Sequence, residues 1–356
     1  MSFYSTVVLI TVVLSIIMIV QINNSNIVTA NAQKGFSIGF SVIMSTALLE
    51  WLTYFASGNP SFPRMLHGLC SSLEFSLAPA VVVVWIYAIG SLKRIHMALI
   101  FLLVHAILEF ISAFTGFIFY INDKNVFCLG DYYYIYIMFY TVAIIAMFVE
   151  AYHFSRRYQN RNLTSLLATF SALLVGVYAN SMDSTINTSW LAVAVCCVMF
   201  YIYYIELVVQ SDGLTSLLNR RSYERHLAKL DSHTAIIIFD IDQFKKINDT
   251  YGHAYGDAVL KKISRAILSC YHSRGLCYRI GGDEFCVILN KKCFDTETCI
   301  IKLNQHFAHS ISKLRQADPT LPTVSVGYEI FDGNNKVEDI IHNADTMMYT
   351  NKNNNR

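Results

Sequence analysis

Along the first 210 positions the apolar residues come in long, nearly unbroken blocks; beyond them they come in short runs punctuated by charged turns. Seven blocks are long enough to cross a bilayer, or nearly so: Phe3–Val20, Phe36–Phe55, Leu69–Ile89, Ile95–Phe119, Tyr133–Phe154, Leu163–Tyr178 and Trp190–Val209. The later pattern is different. Ala235–Phe239 is purely apolar and isoleucine-rich, which predicts a strand buried on both faces. Leu276–Ile280 and Phe285–Leu289 flank Gly281-Gly282, which predicts a hairpin whose turn needs positive φ. Helical spacing is expected over Ser216–Lys229, Asp257–Tyr271, Glu297–Gln316 and Val337–Asn351, with a further strand at Thr323–Ile330. The order strand–helix–strand–strand–helix–strand predicts a ferredoxin-like α+β core with a leading helix. The fold class expected is thus an N-terminal α-helical polytopic membrane bundle of about seven helices, residues 1–210, followed by an α+β domain, residues 211–356.

Composition sharpens this division. Hydrophobic residues make up 54% of the chain and charged residues only 15%, too apolar for an ordinary soluble protein. Residues 1–210 hold 16 charged side chains and residues 211–356 hold 36. A net charge of +2 is too small to suggest a nucleic-acid surface, and the long apolar blocks make the lipid bilayer the expected partner. Nine cysteines occur without a Cys-x-x-Cys spacing, so neither zinc nor a redox motif is signalled. No Gly, Pro or polar linker separates the last apolar block from the soluble part.

Basic residues in short loops set the expected orientation. Lys93-Arg94 and Arg156, Arg157 and Arg161 fall in the third–fourth and fifth–sixth loops, which are therefore expected in the cytoplasm. Alternation then places residue 1 outside and Gln210 inside. Ala30-Asn31-Ala32 resembles a signal-peptidase site, but the first block lacks a basic leader and is read as a retained helix. His105 and Glu109, four apart in the fourth block, share one helical face. Intramembrane ionisable groups invite a functional explanation, although a pair satisfied inside the bundle is the simpler one. Cys70 and Cys128 fall toward the same, outer side.

The candidate chemistry centres on Arg279-Ile-Gly-Gly-Asp-Glu-Phe-Cys-Val-Ile-Leu289. Asp283 and Glu284 follow the glycine tip, and adjacent acids on a tight turn repel unless a cation joins them. A divalent ion carrying a phosphate supplies that charge, and the glycines let a ligand approach the main chain. The strand Ala235–Phe239 likewise ends in acids, at Asp240-Ile-Asp242.

Residues 212–356 resemble the GGDEF domain of diguanylate cyclases. The resemblance rests on Asp212–Thr215, Asn219-Arg220, Phe239–Asp242, Phe244-Lys245, Asn248-Asp249, Gly252-His253, Gly256-Asp257, Arg279–Phe285, Ser325–Gly327, Ala344-Asp345 and Tyr349 ahead of Lys352 and Arg356. It implies condensation of two GTP into cyclic di-GMP and pyrophosphate, with a homodimer bringing two half-sites together. It implies Mg²⁺, two ions per half-site with Mn²⁺ as a substitute, held by Asp240, Asp283 and the main-chain carbonyl of Ile241. Glu284 is either the acceptor of the 3′-hydroxyl proton or a ligand of the second ion. Asn248 and Asp257 would read guanine, whose N1–H and N2–H₂ donors and O6 acceptor they complement, with His253 nearby. Phe244, Lys245, Lys352, Arg356, Gly281 and Gly282 complete the expected substrate site. Asp242 and Asp249 are expected to be structural. The implied location is the bacterial inner membrane, multi-pass, with the catalytic domain cytoplasmic.

One departure stands out. The Arg-x-x-Asp that many family members carry before the hairpin as a product-binding inhibitory site is His272 and Gly275 here, so feedback inhibition by that route is not expected. The rival reading is a catalytically silent membrane receptor for GTP or cyclic di-GMP. Loss of a metal carboxylate or of the glycine tip would favour it, and both are present.

Overall fold

The computed structural model describes residues 3–90, 95–160, 163–171, 175, 189–230, 234–289, 297–331, 333 and 335–354. It divides into two compact units, Met1–Val208 and Val209–Arg356.

The first unit is helical. Six described helices have the length and apolarity to cross a membrane: α1 (Phe3–Asn23), α2 (Ala30–Ala56), α3 (Arg64–Ala88), α4 (Ile95–Thr115), α5 (Tyr134–Arg157) and α6 (Ser189–Val209). The seventh expected block, Leu163–Tyr178, is helical over 164–171 and otherwise lies largely outside the described residues, as do Lys93, Arg94 and Arg161. Ala30-Asn31-Ala32 forms the first turn of α2, capped by the Thr29 hydroxyl. Small residues bring α2 and α3 together, because a Cβ on Gly35 would stand 2.6 Å from that of Ala88 and one on Gly39 would strike the Trp85 indole. Phe36, Phe40, Trp85, Phe154, Phe200 and Tyr204 pack around that contact. Large apolar side chains such as Leu103, Ile107, Ile145 and Ile202 face outward, as lipid contact requires.

The fourth block ends earlier than its hydropathy suggests. Gly116 takes φ +75° and its amide bonds Ser112 O, which closes α4 at Thr115. Phe119–Ile121 (β1) then pairs antiparallel with Phe127–Leu129 (β2), so the expected helix end at Phe119 is a strand. Apolarity alone does not distinguish a helix turn from a strand packed on aromatic rings, here Phe75 against Phe119 and Phe127.

The second unit is a four-stranded antiparallel sheet with helices on both faces. Its strands are β3 (Thr234–Ile241), β4 (Gly275–Arg279), β5 (Glu284–Leu289) and β6 (Val324–Phe331), ordered β4-β5-β3-β6. That order and its connections are those of a ferredoxin-like α+β fold. All eight residues of β3 are buried. Ala235, Ile237, Phe239 and Ile241 point to one face, against α9 (His253–Tyr271) and α10 (Glu297–Ala317). Ile236 and Ile238 point to the other, against α7 (Arg220–Leu227) and α11 (Val337–Asn354). Burial on both sides removes the polar alternation of a half-exposed strand.

Two helix expectations need correction. Ser216–Lys229 is not one helix: Ser216 takes φ +61° in a turn closed by Asp212 N to Leu217 O, and α7 starts only after Asn219 caps Ser222 N. The helix expected from Asp257 starts at His253, after a separate α8 (Phe244–Tyr251), the two being broken by Gly252 at φ +82°.

Gly327 lets α11 sit directly on β6, since a Cβ there would collide with Ala344 O and Met348 N. Overpacking typically costs about 1–3 kcal/mol and more when backbone must move. Gly327→Ala is therefore expected to lower the denaturant midpoint of residues 209–356, followed by limited proteolysis of the full-length protein.

Candidate active site

The candidate site lies at the end of the central strand. The antiparallel register sets Asp240 of β3 opposite Glu284 of β5 on one side and Ser325 of β6 on the other. The ladder continues one step, with Ile241 N donating to Asp283 O at 3.3 Å. Asp242 then turns toward β6, where its carboxylate accepts from Thr323 Oγ1 (2.5 Å) and Ser325 Oγ (2.7 Å). It fixes where β3 leaves the sheet.

Asp240 is 8% exposed and its Oδ1 accepts from Lys352 Nζ at 2.5 Å. Burial raises its proton affinity; Lys352 opposes that rise, and Asp283 and Asp242 add to it. Glu284 is also raised, first by burial and then by Asp283, Asp240 and Asp345, with Lys352 working the other way. These acids form one electrostatic unit, and among the described residues Lys352 is the cation that acts on both Asp240 and Glu284. The ionised form of Glu284 is less favourable in the fold than in the unfolded chain, so the fold loses stability as pH rises from the ordinary glutamate range through the raised value. Glu284→Gln should therefore raise the denaturant midpoint at neutral pH, and the difference should vanish as pH falls below the ordinary carboxylate range.

The hairpin tip differs from the expected tight turn. Neither Gly281 nor Gly282 has positive φ. The strands stop at Arg279 and Glu284, leaving a longer loop in which Ile280 N and Gly281 N both reach Glu284 O. Glycine at 281 serves close approach instead: a Cβ would stand 2.5 Å from Glu284 Oε2. Arg279 holds the loop, donating through Nη2 to Gly282 O (2.7 Å) and through Nη1 to Asp212 Oδ1 (3.2 Å). Burial pushes the Asp212 carboxyl up, but hydrogen bonds from the Thr215 hydroxyl and amide, with the Arg279 charge, outweigh it and leave it lowered.

Beyond β3, α8 and α9 carry the expected base readers. Asn248 is half-buried, and Gly256 sits so close that a Cβ would strike Asn248 Oδ1 and lie 3.3 Å from Phe244 Cζ. Lys245, His253 and Asp257 are exposed. Arg356 lies outside the described residues. The structure thus brings Asp240, Asp283, Glu284 and Lys352 together and seats Asn248 against Gly256 and Phe244. Sequence reasoning missed the roles of Asp345, Arg279 and Asp212. Asp345 was within reach, because it lies seven residues before Lys352 and hence on the same face of α11. At the two positions where the inhibitory pair is replaced, His272 Nδ1 faces Leu268 O and a Cβ on Gly275 would come within 2.6 Å of Ile288 O.

The donors suit magnesium. Among the described residues no three His, Cys, Asp or Glu side chains make a ready-made metal cage. Magnesium does not ask for one, since it takes one or two carboxylates and fills its shell with water and phosphate oxygens. The Asp240 carboxylate already carries one positive partner, the Lys352 ammonium at 2.5 Å.

Residues 209–356 match the family described as "Diguanylate cyclase, GGDEF domain". Diguanylate cyclase DgcM of Escherichia coli (strain K12) is 32% identical over 160 residues, 43% of this chain and 38% of the relative. Cyclic di-GMP phosphodiesterase PdeB of Shewanella oneidensis is 38% identical over 104 residues, 28% of this chain and 12% of that one. The matched region therefore spans well under half the length of these relatives. Among solved structures, the GGDEF domain of DgcB from Caulobacter crescentus in complex with c-di-GMP is 25% identical, covering 41% of this chain and 92% of that one, with TM-score 0.37. A ferredoxin-like sheet, paired acids at its central strand end and a Gly-Gly-Asp-Glu-Phe hairpin have one shared explanation: residues 209–356 are a GGDEF domain, joined to apolar helices long enough to cross a membrane.

Proposed function

We propose that this protein condenses two GTP into cyclic di-GMP. The observation that carries the reading is the register of Asp240 against Glu284 with Lys352 Nζ on the Asp240 carboxylate. In each half-reaction the 3′-hydroxyl oxygen of one GTP bonds to the α-phosphorus of the other. The bond from that phosphorus to the β-phosphate bridge breaks, and pyrophosphate leaves with the electron pair. The hydroxyl proton passes to Glu284, unless Glu284 instead binds the second ion.

Asp240, Asp283 and the Ile241 carbonyl would hold magnesium, with Glu284 available to a second ion. Bound magnesium neutralises phosphate charge as it develops. Lys352 and Lys245 add positive charge for the triphosphate. Asn248 and Asp257 select guanine through groups that only guanine complements, with His253 one turn before Asp257 on the same helix. The hydrogen bonds that the Asp242 carboxylate accepts from Thr323 and Ser325 support a structural role for it beside Asp240.

One domain holds one GTP, so the product requires two copies with half-sites facing. Chemical cross-linking of the detergent-solubilised protein is expected to trap a dimer, and activity per chain should fall on dilution. A strictly monomeric protein with full activity would overturn the half-site arrangement. GTP is cytoplasmic, so residues 209–356 are assigned to the cytoplasmic face of the inner membrane.

The test of the activity is incubation of the membrane-embedded protein with GTP and Mg²⁺, followed by nucleotide chromatography. Cyclic di-GMP formation supports the reading. GTP binding without product would instead support a silent receptor.

A further inference from the structure

The helix α4 is amphipathic in reverse. Its buried residues are His105, Glu109 and Ser112, a stripe at i, i+4 and i+7, while Leu103, Ile107 and Phe114 face outward. Ser112 is satisfied: its oxygen accepts from Ile118 N and Phe119 N, and its hydroxyl donates to Phe119 O. His105 and Glu109 are not. Both side chains are 0% exposed, and neither carboxylate oxygen of Glu109 nor Nδ1 of His105 has a hydrogen-bond partner among the described residues.

The other imidazole nitrogen decides what is missing. Nε2 of His105 lies 3.2 Å from Phe75 O. A carbonyl only accepts, so Nε2 must carry the hydrogen, and the neutral ring then presents a lone pair at Nδ1. The ring is fixed in that pose by stacking on Phe139 at 4.8 Å and against Tyr136 at 6.1 Å. Its lone pair faces Glu109 Oε1 across 3.7 Å. Two acceptors confront each other with neither side chain exposed, and a bare buried carboxylate is strongly disfavoured. One positive charge between them removes both penalties.

We propose that His105 Nδ1 and the Glu109 carboxyl form an intramembrane proton-binding site, with the proton on Glu109 and donated to Nδ1. A metal ion is the poorer occupant. Only two side chains converge, whereas a structural zinc site takes four ligands. A proton needs only these two atoms and a closure of about 1 Å to reach hydrogen-bond distance. The titratable neighbours are Tyr133 and Tyr136 at the start of α5, which lie within electrostatic reach of Glu109 and also of Glu74 on α3. Ser72 Oγ holds the Glu109 carbonyl at 2.9 Å and thereby the helix in place. The site stands independently of what residues 209–356 catalyse.

The test is infrared spectroscopy of the full-length protein in lipid nanodiscs, with Glu74→Gln as the control for the other buried acid of the described helical unit. The wild type is expected to show a carboxylic-acid carbonyl band that persists in Glu74→Gln and is lost in the isosteric Glu109→Gln. His105→Gln should shift that band, because the acceptor changes while Glu109 stays protonated. A Glu109→Gln spectrum that overlays the wild type would show Glu109 to be ionised and overturn the proposal. So would one metal ion per chain by elemental analysis of the wild type, lost in Glu109→Gln. Circular dichroism establishes that each variant keeps its helices, and Glu109→Asp, which retains the acid, should keep a displaced band.

Discussion

Asp283→Ala and Glu284→Ala are expected to reduce cyclic di-GMP formation by about 10³-fold or more, measured as the initial rate of product formation per chain. Both acids sit where β5 meets the end of β3, and each sees the other's charge and that of Asp240. A metal ion lowers the barrier to phosphoryl transfer by several kcal/mol, and each 1.36 kcal/mol is a factor of ten. Losing one carboxylate should therefore remove most of the chemistry while leaving the fold in place, because the β3–β5 ladder is made by main-chain groups. Glu284→Gln separates charge from shape: it should be about as inactive as the alanine variant and yet more resistant to denaturant than the wild type. An active Asp283→Ala protein would end the case for metal-assisted condensation at this strand end.

The second large effect is on base selection. Asp257→Ala should lower the preference for GTP over ATP by about 10–100-fold, the value of one hydrogen bond to a charged group, 1.5–3 kcal/mol. Asn248→Ala should act in the same direction. Gly256→Ala offers a separate route to this defect. Its new methyl would displace Asn248 from the position it now holds, without touching Asp240, Asp283 or Glu284. The measurement is kcat/KM for GTP against ATP in all three variants. Unchanged discrimination in all three would remove these residues from base recognition.

What the sequence made legible follows from the range of the interactions. The run Ala235–Phe239 announces a strand because burial on both faces leaves no position for a polar side chain. The hairpin at Gly281-Gly282 is equally plain, yet its turn is not, since two glycines serve a tight turn or a close side-chain approach equally well. The helix expected at Ser216 was overturned by the Asp212 turn, whose carboxylate takes both the amide and the hydroxyl of Thr215. Spacing could not show that Asp212 meets Arg279, 67 residues away, or that Lys352 meets Asp240 across 112. Such pairs are fixed by the sheet register and by the docking of α11 on β6, which no local window contains.

The position of β3 has a bearing on exchange with solvent. A strand paired on both edges and covered on both faces opens only when the whole domain unfolds, whereas a loop at the tip of a hairpin opens far more readily. The amide hydrogens around Ile238–Asp240 should thus be among the slowest to be replaced by deuterium, and those at Gly281–Gly282 among the fastest. Nucleotide that bridges the two would slow the second group toward the first, so deuterium uptake at the tip becomes a direct gauge of occupancy.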